Sequence, residues 1–156
     1  MTKVRSLRKK DRKGLKGLLA EVRGFTDEEI KIALELVDSY LAGKPDYLVK
    51  VASDEKEGLL GYICYGRTPL TDGVWDIYWL VVGGSYRRQG VAGVLLQIVE
   101  EELKVNGART IIVETSSRED YEPARRFYEK SGFKKVCRIK DFYSAGNDKI
   151  VYEKRL

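Results

Sequence analysis

The stretch Arg87-Arg88-Gln89-Gly90-Val91-Ala92 indicates the fold more directly than any other part of this sequence. It follows an apolar, strand-like segment at 75–82 and precedes the helical pattern Ala92, Leu95, Leu96, Val99, Leu103. A helix start offers unpaired N–H groups and partial positive charge, which attract phosphate. Gly90 permits close backbone approach and Arg87 and Arg88 add cations, while Ala92 leaves space above the first turn. We predict a pyrophosphate site here; the alternative is an ordinary strand-to-helix turn with solvated arginines.

A second motif lies downstream: Ala124-Arg125-Arg126-Phe127-Tyr128-Glu129-Lys130-Ser131-Gly132-Phe133. In this order, the two motifs resemble the GNAT superfamily of acetyl-CoA-dependent N-acetyltransferases, and the resemblance runs from about Tyr47 to the C-terminus. It implies that residues 87–92 bind the pyrophosphate of coenzyme A. It also implies that Tyr128 lies beside the thiol sulfur and protonates it; the alternative is a tyrosine that only packs on a helix.

The resemblance assigns further cofactor contacts. The backbone groups of Leu80, Val81 and Val82 match the strand segment that binds pantetheine and the thioester oxygen. Tyr121 stands where many members place an asparagine that contacts the cofactor, so Tyr121 is a candidate cofactor-binding residue. Gly84 replaces the proline that the family usually has, which loosens the link between strand and helix.

Two carboxylates interrupt apolar strand-like segments and are candidates for the base that takes a proton from the acceptor amine. By resemblance, Asp76 matches a glutamate of histone-type members, and Glu114 matches a glutamate of ribosomal-protein N-terminal acetyltransferases. Burial raises the pKa of a carboxylate toward a value that is useful for a base. The alternative for each is a strand-end carboxylate paired with a lysine or an arginine.

Two tyrosines are candidates for the acceptor pocket. Tyr78 lies two residues after Asp76, so both side chains are expected on one face of the same strand. The run Asp141-Phe142-Tyr143, followed by Gly146-Asn147-Asp148, resembles the final hairpin of N-terminal protein acetyltransferases, in which a tyrosine contacts the acceptor peptide. Tyr143 is therefore the second candidate.

Composition restricts the remaining possibilities. A chain of 156 residues with 43% hydrophobic residues favours one domain, residues 1–156, with a substantial core. The absence of histidine excludes a histidine base and the common zinc ligand sets, so we expect no metal. Cys64 and Cys137 lie in strand-like segments, and we expect both to be buried reduced thiols rather than a disulfide or a nucleophile. Without a long apolar run or an apolar leader, we expect a cytoplasmic protein that does not enter a membrane.

Positive charge is concentrated near the N-terminus. Residues 1–16 hold eight lysines and arginines against one acid, although the net charge of the chain is only +5. Such a segment can bind nucleic acid or create a field that attracts an anionic cofactor. Because no aromatic residues are interleaved, we favour a solvated segment over a nucleic-acid site.

Hydrophobic periodicity and turn signals predict the order of the elements. Strands are expected at 4–8, 47–52, 59–65, 75–82, 110–115, 133–142 and 148–154. Helices are expected at 11–22, capped by Asp11, at 27–41 after the capping box Thr26-Asp27-Glu28-Glu29, from 90, and at 121–131. This order predicts an α/β (α+β) fold with a mixed six- to seven-stranded sheet and helices on both faces. The resemblance implies a GNAT fold, splayed between strands 4 and 5 around the acetyl-pantetheine arm.

We therefore interpret the chain as a GNAT N-acetyltransferase that moves an acetyl group from acetyl-CoA to a primary amine of a small molecule by direct attack. A protein N-terminal acetyltransferase, acting on a peptide N-terminus, is the alternative enzyme. A non-catalytic acyl-CoA-binding sensor is the alternative of another class; it would keep residues 87–92 but need neither Tyr128 nor a base. A homodimer is compatible with the resemblance, because many relatives are dimers. These motifs do not identify the acceptor.

Overall fold

A computed structural model describes all 156 residues as one seven-stranded sheet with four helices. The strands are β1 (Lys3–Ser6), β2 (Leu48–Ser53), β3 (Leu59–Arg67), β4 (Val74–Val82), β5 (Thr110–Ser116), β6 (Lys134–Ser144) and β7 (Asn147–Arg155). The helices are α1 (Arg12–Ala20), α2 (Asp27–Leu41), α3 (Val91–Val105) and α4 (Glu122–Lys130). The strand order is β1-β2-β3-β4-β5-β7-β6, and only β4 and β5 are parallel.

The helices bury apolar stripes on opposite faces of this sheet. The side chains of α1 and α2 form one core with β2 and β3, which includes Leu15, Leu19, Val37, Val49 and Tyr62. Those of α3 and α4 form the other, which includes Leu95, Val99, Ile111, Tyr128 and Tyr152. Apolar residues three and four positions apart share a helix face, which explains why each helix contributes to one core only. The predicted mixed sheet with helices on both faces is confirmed.

The sheet opens between β4 and β5. The two strands pair only from Val74–Ile77 on β4 to Thr110–Val113 on β5, whereas β4 stays paired with β3 as far as Val82. Beside the opening, Trp79 of β4 is opposite Cys64 and Ile77 is opposite Tyr65, so Tyr78 is an extra residue in β4. Such a β-bulge bends its strand, and the bend directs the second half of β4 away from β5. The predicted splay is confirmed.

The helix starts agree with the sequence in one case and differ in another. Thr26 accepts a hydrogen bond from the Glu29 N–H (3.1 Å), as the capping box predicts. Asp11 does not cap α1: a 3-10 turn ends at Asp11, and α1 runs only to Ala20. The buried Asp11 carboxylate instead accepts from the Arg5 guanidinium (2.6 and 2.9 Å) and from the Arg8 N–H (2.8 Å). A guanidinium is the stronger partner for a buried carboxylate, so this contact is made in place of the cap.

The two cysteines lie in different environments. Cys64 is fully buried in β3, and burial raises its pKa to about 12. Cys137 is exposed, so the prediction of two buried thiols is wrong for it. The reason is that β6 is an edge strand, all of whose residues are exposed. No helix of the structure is long and apolar enough to span a membrane.

Candidate active site

A cleft of about 700 Å³ occupies the opening between β4 and β5. It is bounded by the second half of β4, the end of β5, and the starts of α2 and α4. Its lining is partly aromatic and partly acidic. It includes the predicted residues Asp76, Tyr78, Leu80, Val81, Glu114, Tyr121, Tyr128 and Tyr143, together with Phe25, Glu28, Glu29, Trp79, Arg118 and Asn147.

The loop between β4 and α3 presents free backbone donors. The N–H groups of residues 87–90 donate to no backbone carbonyl, and those of 91–93 belong to the first turn of α3, where an α-helix has no internal acceptor. Arg88 and Gly90 have left-handed φ angles of 63° and 80°. A Cβ added at Gly90 would meet no atom within 4 Å, and Arg87 and Arg88 form no ion pair. Free amides, free guanidinium groups and open space fit the pyrophosphate of coenzyme A.

Tyr128 lines the cleft from α4. Its side chain is 6% exposed and packs edge-on against Phe127 and Phe133, with both centroid distances at 5.4 Å. Its hydroxyl has no hydrogen-bond partner in the protein, and burial raises the pKa of Tyr128. The ring is thus part of the core while the hydroxyl stays protonated and available as a donor.

Asp76 lies on β4 opposite Ile112 of β5, at the closed end of the splay. Its half-buried carboxylate accepts a hydrogen bond from the Thr68 hydroxyl (2.6 Å). Burial is the main cause that raises the pKa of Asp76, and the charge of Glu114 adds to this effect. The Thr68 hydrogen bond and the charge of Lys149 act in the opposite direction.

Glu114, the other candidate base, is paired with a cation. Its side chain is 50% exposed, and its carboxylate lies 3.0 Å from the Lys149 ammonium. Lys149 is itself only 16% exposed and sits 4.5 Å from the centre of the Phe142 ring. Glu114 therefore forms the ion pair with a lysine that the sequence analysis gave as the alternative to a role as base. The partner lysine was not identified from the sequence, because nothing local distinguishes Lys149 from the many other lysines of the chain.

The other three tyrosines of the cleft differ in their contacts. Tyr78 packs edge-on against Tyr47 (5.3 Å), and burial raises its pKa to about 12. Tyr143 is 49% exposed at the end of β6, where burial and the charge of Glu114 raise its pKa. The Tyr121 hydroxyl donates to the Glu29 carboxylate on α2 (2.9 Å), and this link joins the loop after β5 to the start of α2. The sequence marked Glu29 only as a capping residue, so its place in the cleft was missed.

Comparison with known proteins identifies the class of protein. Residues 17–133 match the family described as the acetyltransferase (GNAT) family. The match covers most of the chain, and the chain therefore belongs to the GNAT acetyltransferase family. The predicted family and fold are both confirmed.

Individual relatives agree with this assignment. A GNAT-family structure from Desulfovibrio desulfuricans is 34% identical, covers 99% of each chain and has a TM-score of 0.94. N-alpha-acetyltransferase 30 of Schizosaccharomyces pombe is 37% identical over 76 residues, which are 49% of each protein, so the match spans about half the length of that relative. An aminoglycoside 6'-N-acetyltransferase solved with coenzyme A is 20% identical and shares the fold, with a TM-score of 0.75 over 98% of this chain and 96% of its own.

Proposed function

We propose that this protein transfers an acetyl group from acetyl-CoA to a primary amine of a small molecule. The observation that carries the proposal is the arrangement along β4. Asp76 lies in the half of the strand that pairs with β5, and Leu80–Val82 lie in the half that does not. The strand then leads into the free amides of residues 87–90. Tyr128 lines the same cleft from α4.

In this proposal, the cofactor is held by two parts of the chain. Residues Arg87, Arg88, Gln89, Gly90, Val91 and Ala92 bind its pyrophosphate through backbone N–H groups and guanidinium charge. The backbone of Leu80, Val81 and Val82, free of β5, binds the pantetheine arm as an additional strand would. When bound, acetyl-CoA supplies the thioester carbonyl that the amine attacks.

We assign Asp76 as the base. An amine near neutral pH is mostly protonated, and its nitrogen must lose a proton before it can attack. The raised pKa of Asp76 makes this carboxylate a better proton acceptor than an ordinary aspartate, and the Thr68 hydroxyl orients it. Glu114 remains the second candidate base, although its carboxylate is half exposed and is already paired with the Lys149 ammonium.

Tyr128 is assigned as the proton donor to the departing thiolate sulfur. Its hydroxyl has no competing partner within the protein, and its raised pKa keeps it protonated throughout the physiological range. The packing of its ring against Phe127 and Phe133 restricts its orientation. A positioned general acid of this kind accelerates a reaction by about 10²–10⁴-fold.

A protein N-terminal acetyltransferase is the second candidate. Two observations favour it: the 37% identity to the fission yeast N-alpha-acetyltransferase 30 over about half of each protein, and the position of Tyr143 at the cleft. Strand β6, which carries Tyr143, is exposed along its whole length, so this side of the cleft has room for a peptide that continues beyond it.

The test is a coenzyme A release assay with amino acids, polyamines, aminosugars and short peptides as acceptors. We expect amine-dependent turnover, and Tyr128→Phe should lower it by about 10²–10⁴-fold while the acetyl-CoA-induced rise in melting temperature persists. Tyr86→Phe, outside the cleft, is the matched control. A wild-type protein that binds acetyl-CoA without turnover for any amine would support the non-catalytic sensor instead. Full turnover in Tyr128→Phe would refute the role of Tyr128.

A further inference from the structure

The hairpin of β6 and β7 is irregular where it reaches the cleft. Regular pairing stops after Ile139 and resumes at Ser144, and over this interval β7 contributes only Asp148. Four residues of β6, 140–143, therefore lie opposite a single residue, and we call them the hairpin bulge. A bulge interrupts the backbone ladder and redirects the side chains that it carries.

The hairpin bulge brings two aromatic side chains to the cleft. Tyr143 lines the cleft directly. Phe142 packs edge-on against Tyr143, with a centroid distance of 5.0 Å, and its ring centre lies 4.5 Å from the Lys149 ammonium. The same ammonium pairs with Glu114 at 3.0 Å. The path of residues 140–143 therefore decides where the Tyr143 ring stands relative to the cleft.

The carboxylate of Asp148 holds the hairpin bulge in this path. One oxygen accepts a hydrogen bond from the Asp141 N–H (2.9 Å), and the other accepts from the Arg138 guanidinium (2.5 Å). A carboxylate thus replaces the carbonyl that a regular ladder would offer, and an ionised acceptor makes the stronger bond. Asp141 has a left-handed φ of 53°, which few side chains adopt and which persists only where the surroundings fix it.

Asp148 is itself fixed to the loop after β5. The Ser117 N–H donates to the carbonyl oxygen of Asp148 (2.9 Å), and the Asp148 N–H donates to the Ser117 hydroxyl (2.8 Å). The neighbouring pair, Ser116 and Asn147, is joined by a hydrogen bond from the Ser116 hydroxyl, and both of these residues line the cleft. Asp148 therefore connects two sides of the cleft: its backbone binds the β5 side, and its side chain binds the hairpin bulge.

We propose that Asp148 is a positioning residue for the acceptor amine, because it holds the hairpin bulge so that Tyr143 forms one wall of the acceptor site. Asp148 is not part of the cleft lining, so it acts through Tyr143. None of its hydrogen bonds reaches residues 80–82 or 87–92, so the binding of acetyl-CoA does not depend on it. This inference rests on the proposed function, because it requires the acceptor to bind in this cleft.

Asp11 provides a matched control for a purely structural role. Asp148 and Asp11 are both 6% exposed, and each accepts from one guanidinium and one backbone N–H. Asp11 lies outside the cleft, between β1 and α1. Removing either carboxylate leaves an arginine without its partner, so both losses lower stability, but only the loss at Asp148 frees the hairpin bulge.

The first experiment measures kcat and KM for the most active amine of the coenzyme A release panel. In Asp148→Ala, KM for the amine should rise about tenfold while kcat changes by less than about threefold, because a wall of the site binds the ground state and the transition state alike. KM for acetyl-CoA should not change. Asp11→Ala should lower the melting temperature as Asp148→Ala does, yet keep the wild-type KM for the amine.

The outcomes separate this inference from the proposed function. An unchanged KM for the amine in Asp148→Ala, or an equal rise in Asp11→Ala, would overturn the inference and leave the proposed function intact. Absence of turnover with every amine in the wild-type protein would instead overturn the proposed function. Asp148→Asn keeps an oxygen for the Asp141 N–H and should stay within about threefold of the wild-type KM. A tenfold rise in this variant would also overturn the inference.

A second experiment tests whether Asp148 acts through Tyr143. KM for the amine is measured in Tyr143→Ala and in the double variant Tyr143→Ala/Asp148→Ala. If Asp148 only positions the Tyr143 ring, its loss should raise KM by less than about twofold once that ring is absent, because residues that act as one unit are not additive. A further tenfold rise in the double variant would show that the two residues act independently and would overturn the positioning role.

Discussion

Lys149 affects the pKa of Asp76, the candidate base. Its ammonium is largely buried, pairs with Glu114 at 3.0 Å and lowers the pKa of Asp76. The charged groups that affect Asp76 are these two, from β7 and β5, and the Thr68 hydroxyl bonds to it directly. Removing the ammonium would leave Asp76 beside an uncompensated Glu114, and like charges raise each other's pKa.

We predict that Lys149→Met raises the pKa of Asp76. A base works only in its ionised form, so the acidic limb of the pH profile of kcat/KM should move to higher pH. The measurement is kcat/KM between pH 5 and pH 9 with the best acceptor. Lys149→Arg should leave the acidic limb of kcat/KM at its wild-type pH, because arginine keeps the positive charge.

Lys154 provides a matched control for this experiment. It lies on the same strand, pairs with Glu100 (2.8 Å) and is 5.8 Å from the Phe133 ring, but it lies outside the cleft. Lys154→Met should lower the melting temperature without moving the acidic limb. If Lys149→Met also leaves the limb unmoved, Lys149 only supports the hairpin and does not act on Asp76.

At the scale of elements, the junction of β4 with α3 forms the phosphate loop. The bulge at Tyr78 separates β4 from β5, and Gly90 begins α3 with a left-handed φ of 80°. That conformation disfavours most side chains but tolerates aspartate, and the space above Gly90 is open. A carboxylate can thus be introduced at the loop with limited effect on folding.

We predict that acetyl-CoA at about 100 times its dissociation constant stabilises the wild-type protein by roughly 2.7 kcal/mol. Gly90→Asp should remove most of this stabilisation, because its carboxylate would repel the pyrophosphate. The measurement is the melting temperature with and without acetyl-CoA.

Gly107→Asp is the control for the loop. Gly107 has the same φ of 80° and equally open surroundings, but follows the other end of α3, about 22 Å away by helix geometry. This variant should retain the full shift with acetyl-CoA. Loss of the shift in both variants would indicate a general effect of added negative charge and contradict the loop assignment.

At the scale of the whole molecule, ion pairs link elements that are distant in the chain. Arg12 of α1 pairs with Asp38 of α2, and Lys10 with Glu57 of the β2–β3 turn. In β6 and β7, Arg138 pairs with Asp148. At the N-terminus, four of the eight basic side chains of residues 1–16 form ion pairs, namely Arg5, Arg8, Lys10 and Arg12, which agrees with a structural role for that segment.

These pairs predict how stability depends on pH. The pKa values of Asp11, Asp38, Glu57 and Asp148 are all lowered in the folded state, chiefly by hydrogen bonds. Their contribution is therefore complete above the unfolded-state pKa, about 4, and is lost as pH falls through the folded values. We expect the free energy of unfolding in urea to fall between pH 5 and pH 2.

Asp11→Asn tests this dependence. It leaves Arg5 without its carboxylate, so we expect a loss of about 2 kcal/mol at pH 7 and a flatter dependence on pH below 5. Asp72→Asn, at an exposed residue without an ion pair, should behave like the wild type. An unchanged pH dependence in Asp11→Asn would show that the Arg5–Asp11 pair does not contribute to acid stability.

The sequence by itself determined the local features of this protein. The glycine and arginine pattern of residues 87–92 predicted the loop before α3, and periodicity predicted every strand and helix with shifts of a few residues at their ends. The capping box predicted the start of α2. These features depend on neighbours within one turn of a helix or along one strand, so the information lies within short segments of the chain.

Only the tertiary structure decided how the cleft is charged. Asp76 meets Thr68 and Glu114 meets Lys149, while Glu29 of α2 meets Tyr121, 92 positions away. The exposure of Cys137 likewise follows from the edge position of β6, which no local pattern reveals. The physical reason is that the pKa of a carboxylate depends on burial and on charges a few ångströms away, and distant segments supply both only after the sheet has formed.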